Sequence, residues 1–136
     1  MEQVLNEVIK ELLKQVETTY KENNKLTDEL LSQLNFIFKT PLLSALDLID
    51  HQKVIHISTP SKRELFQVIG SSGLLYLCFQ SSNYCSCLAY RYSVLRKEEY
   101  PMCKHVLAAR LSQAMGLCKE VQYSDKTLAL MIANIE

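Results

Sequence analysis

The sequence predicts an α+β fold: an N-terminal three-helix layer, a small antiparallel sheet, a strand–loop–helix module and a C-terminal helix. Apolar residues follow a helical period up to residue 50 and then change to a period of two. Two short motifs follow the predicted sheet, CSC at 85–87 and CKH at 103–105, and a helical pattern comes directly after the second. The chain of 136 residues is long enough for one sizeable core. We therefore expect a helical region, 1–50, and a sheet-and-motif region, 51–136, to form one compact domain.

Three helices are predicted in the first fifty residues. The second helix has Thr27 as a suitable N-cap and ends near Phe38. Thr40 and Pro41 provide a cap and an N1 proline for a third helix that ends near Asp50. The first helix covers residues 2–22, with one apolar stripe: Val4, Leu5, Val8, Ile9, Leu12, Leu13, Val16 and Tyr20.

The stripe on the first helix has two interpretations. It can pack entirely against the helix's own domain, which is the common arrangement for an amphipathic helix. Alternatively, part of it can dock a partner protein. We favour packing within the domain.

The middle of the chain predicts three short strands joined by turn-forming residues. His56 lies between two isoleucines and is expected to face solvent rather than bind metal. Cys78 lies inside the third strand and is expected to pack in the core. Ser124 is expected to cap a last helix of about ten residues. The strands are predicted at 54–57, 64–69 and 74–79.

The two cysteine motifs together supply three sulfurs and one imidazole, which is a complete tetrahedral donor set for a structural zinc ion. Positions i and i+2 of a strand share a face, so Cys85 and Cys87 can converge on one ion. In a regular helix the same spacing points side chains roughly 200° apart. Cys103 should therefore lie at the mouth of the helix that follows, with His105 in its first turn. The helix dipole would favour a thiolate at Cys103.

Two other interpretations of the four residues remain open. They can be buried, reduced and unrelated, or Cys85 or Cys87 can form a disulfide with Cys103. The first residues lack a basic region followed by an apolar run, so no secretion signal is indicated and the disulfide is disfavoured. Five cysteines fit a metal site plus bystanders, and Cys118 is expected on the apolar stripe of the helix after the motif.

The CxCx(n)CxH pattern, with a helix after it, resembles the signature of the SWIM zinc-binding domain family. The flanking segments resemble one class of member, the small SWIM-bearing subunit of the animal Shu complex. Many SWIM modules carry proline directly after the second cysteine, where this chain has Leu88. The matching segments are ALDLID (45–50), YCSC (84–87), SVLRK (93–97), CKHVLAARLSQ (103–113) and SDK (124–126).

The resemblance implies one structural zinc ion held by Cys85, Cys87, Cys103 and His105. It also implies a nuclear, non-enzymatic adaptor of homologous recombination. Such a protein pairs with a RecA-like ATPase paralogue and promotes recombinase filament assembly on single-stranded DNA. The residues themselves agree with a non-enzyme, because the sequence contains neither a GxxxxGK[ST] phosphate loop nor an HExxH motif.

An autonomous nucleic-acid-binding zinc module is the alternative function. Aromatic rings can stack on bases while cations meet phosphates. The same tyrosines can instead pack around the metal. The formal net charge is zero, with −4 in residues 1–50 and +4 in residues 51–136, far from the strongly basic surface of an autonomous binder. Any DNA contact should therefore be weak or shared with a partner. The candidate contact residues are Tyr90, Arg91, Tyr92, Arg96 and Lys97.

Overall fold

The computed structural model describes residues 2–79, 82, 84–87, 90, 94 and 100–134. These residues form five helices and a four-stranded mixed sheet, which confirms the α+β class. In chain order the elements are α1 (Glu2–Asn23), α2 (Asp28–Phe38), α3 (Pro41–Asp50), β1 (Val54–Ser58), β2 (Glu64–Ile69), β3 (Leu75–Phe79), α4 (Lys104–Met115), β4 (Lys119–Gln122) and α5 (Asp125–Ala133).

The N-terminal helices begin where the sequence indicates, but only one of the two predicted threonine caps forms. Thr27 has extended backbone angles, and its hydroxyl accepts a hydrogen bond from the Leu30 N–H at 3.1 Å. Thr40 already has helical angles (φ −51, ψ −40) and makes no side-chain cap bond. A capping side chain reaches back to the first turn from a non-helical backbone, so this prediction for Thr40 is wrong. Pro41 does occupy the first helical turn.

The sheet has the strand order β3-β2-β1-β4. The two antiparallel pairs, β1 with β2 and β2 with β3, are the ones that the sequence predicts. Strand β4 was not predicted. It pairs parallel to β1, in a register that runs from Ile55 opposite Lys119 to Ser58 opposite Gln122. The sheet is therefore mixed, and the chain reaches its fourth strand only after crossing back through α4.

Helix α4 lies at the centre of the larger core. It packs on α1 and α3 and also meets β1, β2 and β3. A helix covered on most sides needs apolar or small residues around most of its surface. The opposite face of the sheet is covered by α5 through Leu128. The buried residues of α4 are His105, Val106, Leu107, Ala108, Ala109, Leu111 and Ser112.

His56 does not face solvent as predicted, because β4 lies beside it. The imidazole is only 14% exposed, and each ring nitrogen lies 2.7 Å from a carboxylate oxygen, Nε2 from Glu64 and Nδ1 from Glu120. Glu120 is the register partner of His56 on the parallel strand. The prediction failed because it considered β1 without this neighbour.

Cys118 does not lie on a helical stripe. Helix α4 ends at Met115, and Gly116 adopts a left-handed conformation (φ 70) that closes it. Cys118 follows in the connection to β4, half-buried against the larger core. Within the part of the chain that is described, no helix combines the length and apolar content needed to cross a bilayer.

Candidate metal centre

The four predicted ligands lie together in the structure. One sulfur or nitrogen atom from each of Cys85, Cys87, Cys103 and His105 lies within 4.8 Å of all the others, and all four residues are buried. The Cys85 Sγ is 3.8 Å from the His105 Nδ1. Zinc bonds of about 2.3 Å to sulfur and about 2.0–2.1 Å to nitrogen, arranged tetrahedrally, separate such atoms by about 3.6 Å. The spacing therefore suits one ion between the four donors.

The start of α4 positions the second pair of donors. Cys103 is the N-cap, with extended backbone angles (φ −76, ψ 169). Its sulfur accepts a hydrogen bond from the Val106 N–H, with 3.5 Å between the sulfur and the nitrogen. His105 follows in the first turn. This is the arrangement that the CxH spacing predicts. The free N–H groups of the first turn also favour negative charge on the Cys103 sulfur.

The edge of the sheet positions the first pair of donors. Cys85 forms an isolated antiparallel bridge with Cys78 of β3. The next residue strengthens this attachment, because the Ser86 N–H donates to the Leu77 carbonyl at 3.2 Å and the Leu77 N–H donates to the Ser86 hydroxyl at 3.1 Å. The Cys87 sulfur accepts the Tyr90 N–H at 3.3 Å. One pair of donors is thus held by the sheet and the other by α4.

The electrostatics of the three thiols require a cation for full ionisation. Hydrogen bonds from Cys103 and Cys85 lower the pKa of Cys87. For Cys103, hydrogen-bonded contacts with Cys85 and Cys87, together with burial, raise the pKa. Buried like charges disfavour one another, so these sulfurs cannot all be thiolates without a positive ion among them. A borderline-soft divalent metal such as zinc satisfies a sulfur-rich set with one imidazole.

Three residues outside the two motifs also shape the centre. The Tyr76 ring stacks on the His105 ring, with centroids 4.1 Å apart. Cys78 lies two residues further along β3, on the same face as Tyr76. Gly70 leaves room for the tyrosine, because a Cβ atom at that position would lie 2.8 Å from Tyr76 Cε2. None of the three is part of the motif spacing, although the period of two in β3 places Tyr76 and Cys78 on one face.

The proposed nucleic-acid contact set is only partly within the described residues. Tyr90 is half-buried, and its ring meets the edge of Tyr84 with centroids 5.2 Å apart. Tyr84 in turn stacks on Phe79 at 5.1 Å. Tyr90 therefore packs in an aromatic cluster beside the metal centre. The remaining members, Arg91, Tyr92, Arg96 and Lys97, lie outside the described residues.

Comparison with known proteins identifies relatives over most of the chain. It is 48% identical over 126 residues to zinc finger SWIM domain-containing protein 7 of Danio rerio, covering 93% of this chain and 90% of the relative. The Homo sapiens protein of the same name is 45% identical over 125 residues, covering 92% and 89%. The chain belongs to the zinc finger SWIM domain-containing protein 7 family. A homolog from Dictyostelium discoideum is 32% identical over 119 residues, covering 85% and 76%.

No family model and no solved structure matches the chain. The identification therefore comes from relatives that match over most of their length and from the geometry of the cluster. Family membership agrees with the donor set: the relatives are zinc finger proteins, and the four buried side chains can hold one metal ion. Four protein donors complete a tetrahedral site and leave no position for a reacting water, which is the pattern of structural zinc. When bound, such an ion supplies folding energy, with apparent binding of about 10–16 kcal/mol in small zinc modules.

Proposed function

We propose that this chain is a non-catalytic, zinc-stabilised adaptor of homologous recombination DNA repair in the nucleus. It pairs with a RecA-like ATPase paralogue and promotes recombinase filament assembly on single-stranded DNA, as expected for the Shu complex subunit that it resembles. The observation that carries the proposal is a closed, buried Cys₃His cluster in a chain related to SWIM proteins along most of its length.

The shape of the centre supports a structural role for the metal. Cys85 is 1% exposed, Cys103 is 2% exposed and His105 is 3% exposed. A catalytic zinc needs an open coordination position that a substrate can reach. The groove between α1 and α2 is lined by other side chains, among them Glu11, Lys14 and Gln33, and it does not include the cluster residues. Substrate access to the metal is therefore not provided by this groove.

The position of the cluster suggests how metal binding serves partner capture. Cys85 is attached to the edge of β3, whereas Cys103 and His105 begin α4. Helix α4 packs on α1 and α3. An ion held by these side chains fixes the sheet relative to the helical layer and so gives the protein one rigid surface. Loss of the metal and loss of the partner should therefore occur together.

The charge distribution favours a role through a partner over direct DNA binding. The formal net charge is zero, and the excess of ten basic over six acidic residues in 51–136 is modest. Affinity for a nucleic-acid backbone grows with the number of phosphates that are neutralised. A protein with this composition contributes little of that energy alone, so the ATPase paralogue supplies the main contact with DNA.

Co-purification with metal analysis tests the proposal. The chain is co-expressed with the RecA-like ATPase paralogue, and zinc per chain is measured in the purified complex. We expect one zinc and a stable pair for the wild type and for the control Cys118→Ser, since Cys118 lies outside the cluster. Cys103→Ser should lose both the zinc and the paired ATPase paralogue. A Cys103→Ser protein that lacks zinc and still binds the paralogue normally would contradict the proposed coupling.

A further inference from the structure

A fourth cysteine lies against the metal centre and is not one of the candidate ligands, which are three cysteines and one histidine. Cys78 of β3 is 1% exposed and is the bridge partner of Cys85 across the sheet edge. Directly opposed residues of antiparallel strands direct their side chains to the same face. Cys78 therefore presents its thiol towards the same side of the sheet as the Cys85 sulfur.

The hydrogen bonds beside this bridge determine which kind of pair it is. The Ser86 N–H bonds to the Leu77 carbonyl, so the neighbouring residues, 77 and 86, form the hydrogen-bonded pair. Cys78 and Cys85 are therefore a non-hydrogen-bonded pair, the type in which Cα atoms are about 4.5 Å apart and side chains are closest. Disulfides join Cα atoms that are about 4.4–6.8 Å apart. The backbone already holds these two residues within bonding reach.

We propose that Cys78 and Cys85 are a redox pair, and that their disulfide removes one donor from the metal centre. Peroxide is the oxidant. The Cys85 thiolate attacks one peroxide oxygen, giving a sulfenic acid and hydroxide, and the Cys78 thiol then displaces water to form the S–S bond. The Cys78 proton leaves in the displaced water, and the proton that Cys85 gave up on forming its thiolate neutralises the hydroxide. Two thiol sulfurs are oxidised and one peroxide is reduced to two waters.

Cys78 suits this role better than the other cysteines of the centre. A disulfide between two candidate ligands removes two donors at once, whereas pairing Cys85 with Cys78 removes one. Cys87, Cys103 and His105 then remain, and three donors hold zinc less tightly than a complete tetrahedral set. The reaction therefore converts a closed centre into an open one from which zinc is lost to a chelator, and reduction restores the fourth donor.

The bound metal determines when the pair reacts. Both cysteines are 1% exposed, and the Cys85 sulfur is a donor to the metal whenever zinc is bound. A sulfur that shares its electron pair with zinc is a poorer nucleophile towards peroxide than one that is free of metal. Zinc-loaded protein should therefore react slowly, and protein from which zinc has been withdrawn should react faster at Cys85 and Cys78.

Peptide mapping after oxidation tests the proposal on the full chain. Zinc-loaded and chelator-treated protein are exposed to hydrogen peroxide, alkylated without reduction and digested, while zinc release is followed with a chromogenic chelator. We expect a peptide pair joined through Cys78 and Cys85, formed faster in the chelated sample, and recovery of zinc binding after thiol reductant. Cys78→Ser should lack the cross-linked peptide, and the control Cys118→Ser should keep it.

Other chemical outcomes would overturn the proposal. If Cys85 is found paired with Cys87 or Cys103, Cys78 is not its redox partner. The same conclusion follows if Cys85 becomes a sulfinic acid while Cys78 remains a free thiol. The map of the wild-type protein is decisive alone, so the test does not depend on the folding of Cys78→Ser.

Discussion

The phenol ring of Tyr76 lies over the imidazole of His105, with ring centroids 4.1 Å apart and the planes inclined by 27°. Tyr76 belongs to the edge strand β3, whereas His105 belongs to the first turn of α4. Gly70, at the turn before β3, lies close to the Cε2 atom of the tyrosine ring. A candidate metal ligand is thus oriented by two residues that lie outside both cysteine motifs.

Replacing Gly70 with alanine should loosen this stack. The added Cβ would lie 2.8 Å from the tyrosine ring, which cannot move freely because it is packed on a buried histidine. Overpacking of this kind typically costs about 1–3 kcal/mol. We expect Gly70→Ala to unfold at lower temperature and to lose zinc at lower chelator concentration, measured by calorimetry and chelator titration.

The matched control for this prediction is the double variant Gly70→Ala with Tyr76→Leu. Leucine is smaller than tyrosine and leaves room for the new methyl group. The double variant should therefore lose less stability than the sum of the losses from the two single changes. Additive effects of the two substitutions would show that Gly70 does not act through the tyrosine.

The two threonines before α2 and α3 should differ in their contribution to stability. The Thr27 hydroxyl accepts the Leu30 N–H, and removing such a cap costs about 1 kcal/mol. Thr40 makes no cap bond, so Thr40→Ala should change the free energy of unfolding by less than about 0.5 kcal/mol. Urea unfolding of Thr27→Ala and Thr40→Ala provides the measurement. Equal losses of unfolding free energy in the two variants would contradict the conclusion that Thr27 caps its helix and Thr40 does not.

The stability of the sheet should depend on pH through His56. Burial lowers the pKa of this histidine, but hydrogen bonds and charge from Glu120 and Glu64 outweigh it and raise the pKa above the usual value near 6.5. A raised folded-state pKa gives stability that is fully present below the unfolded-state value and is lost as pH rises through the folded-state value. We expect the stability advantage of wild type over His56→Gln to be largest near pH 6 and to shrink at higher pH.

Thermal unfolding between pH 5.5 and pH 9 measures this effect. The control is His51→Gln, because the His51 side chain is 65% exposed and its nearest acid is the 72% exposed Asp47. A surface pair of this kind contributes little. Parallel pH curves for wild type and His56→Gln would exclude a stabilising charge on His56.

Withdrawal of zinc should destabilise α4 and the helices packed on it. The candidate ligands tie the start of α4 to the sheet, and α4 packs on α1 and α3. A strong chelator should therefore lower the unfolding temperature and the helical circular dichroism signal, and added zinc should restore both. Cys103→Ser should show no response to chelator. Identical unfolding curves with and without chelator in the wild type would contradict a structural role for the metal.

The sequence alone predicted the elements whose signals are local. The apolar spacing of α1, the cap at Thr27 and the turn residues around β1, β2 and β3 all act within a few residues. Strand β4 has no such signal. Its four residues, KEVQ, show only one apolar side chain, and its place is determined by parallel pairing with β1, far away in the sequence. The environment of His56 was misjudged for the same reason.

In the candidate site, too, some features follow from local sequence and others only from tertiary contacts. The CSC and CKH spacings restrict the backbone locally, which made the four donors and the N-cap position of Cys103 predictable. The roles of Gly70, Tyr76 and Cys78 follow from the contact of β3 with α4 and with the 84–87 segment. This tertiary contact is not encoded in the motif spacing.

X-ray absorption at the zinc edge of the purified chain tests the central claim most directly. We expect one zinc per chain with three sulfur neighbours at about 2.3 Å and one nitrogen at about 2.0–2.1 Å. A protein that is folded without stoichiometric zinc, or a metal surrounded mainly by oxygen and nitrogen, would contradict the account.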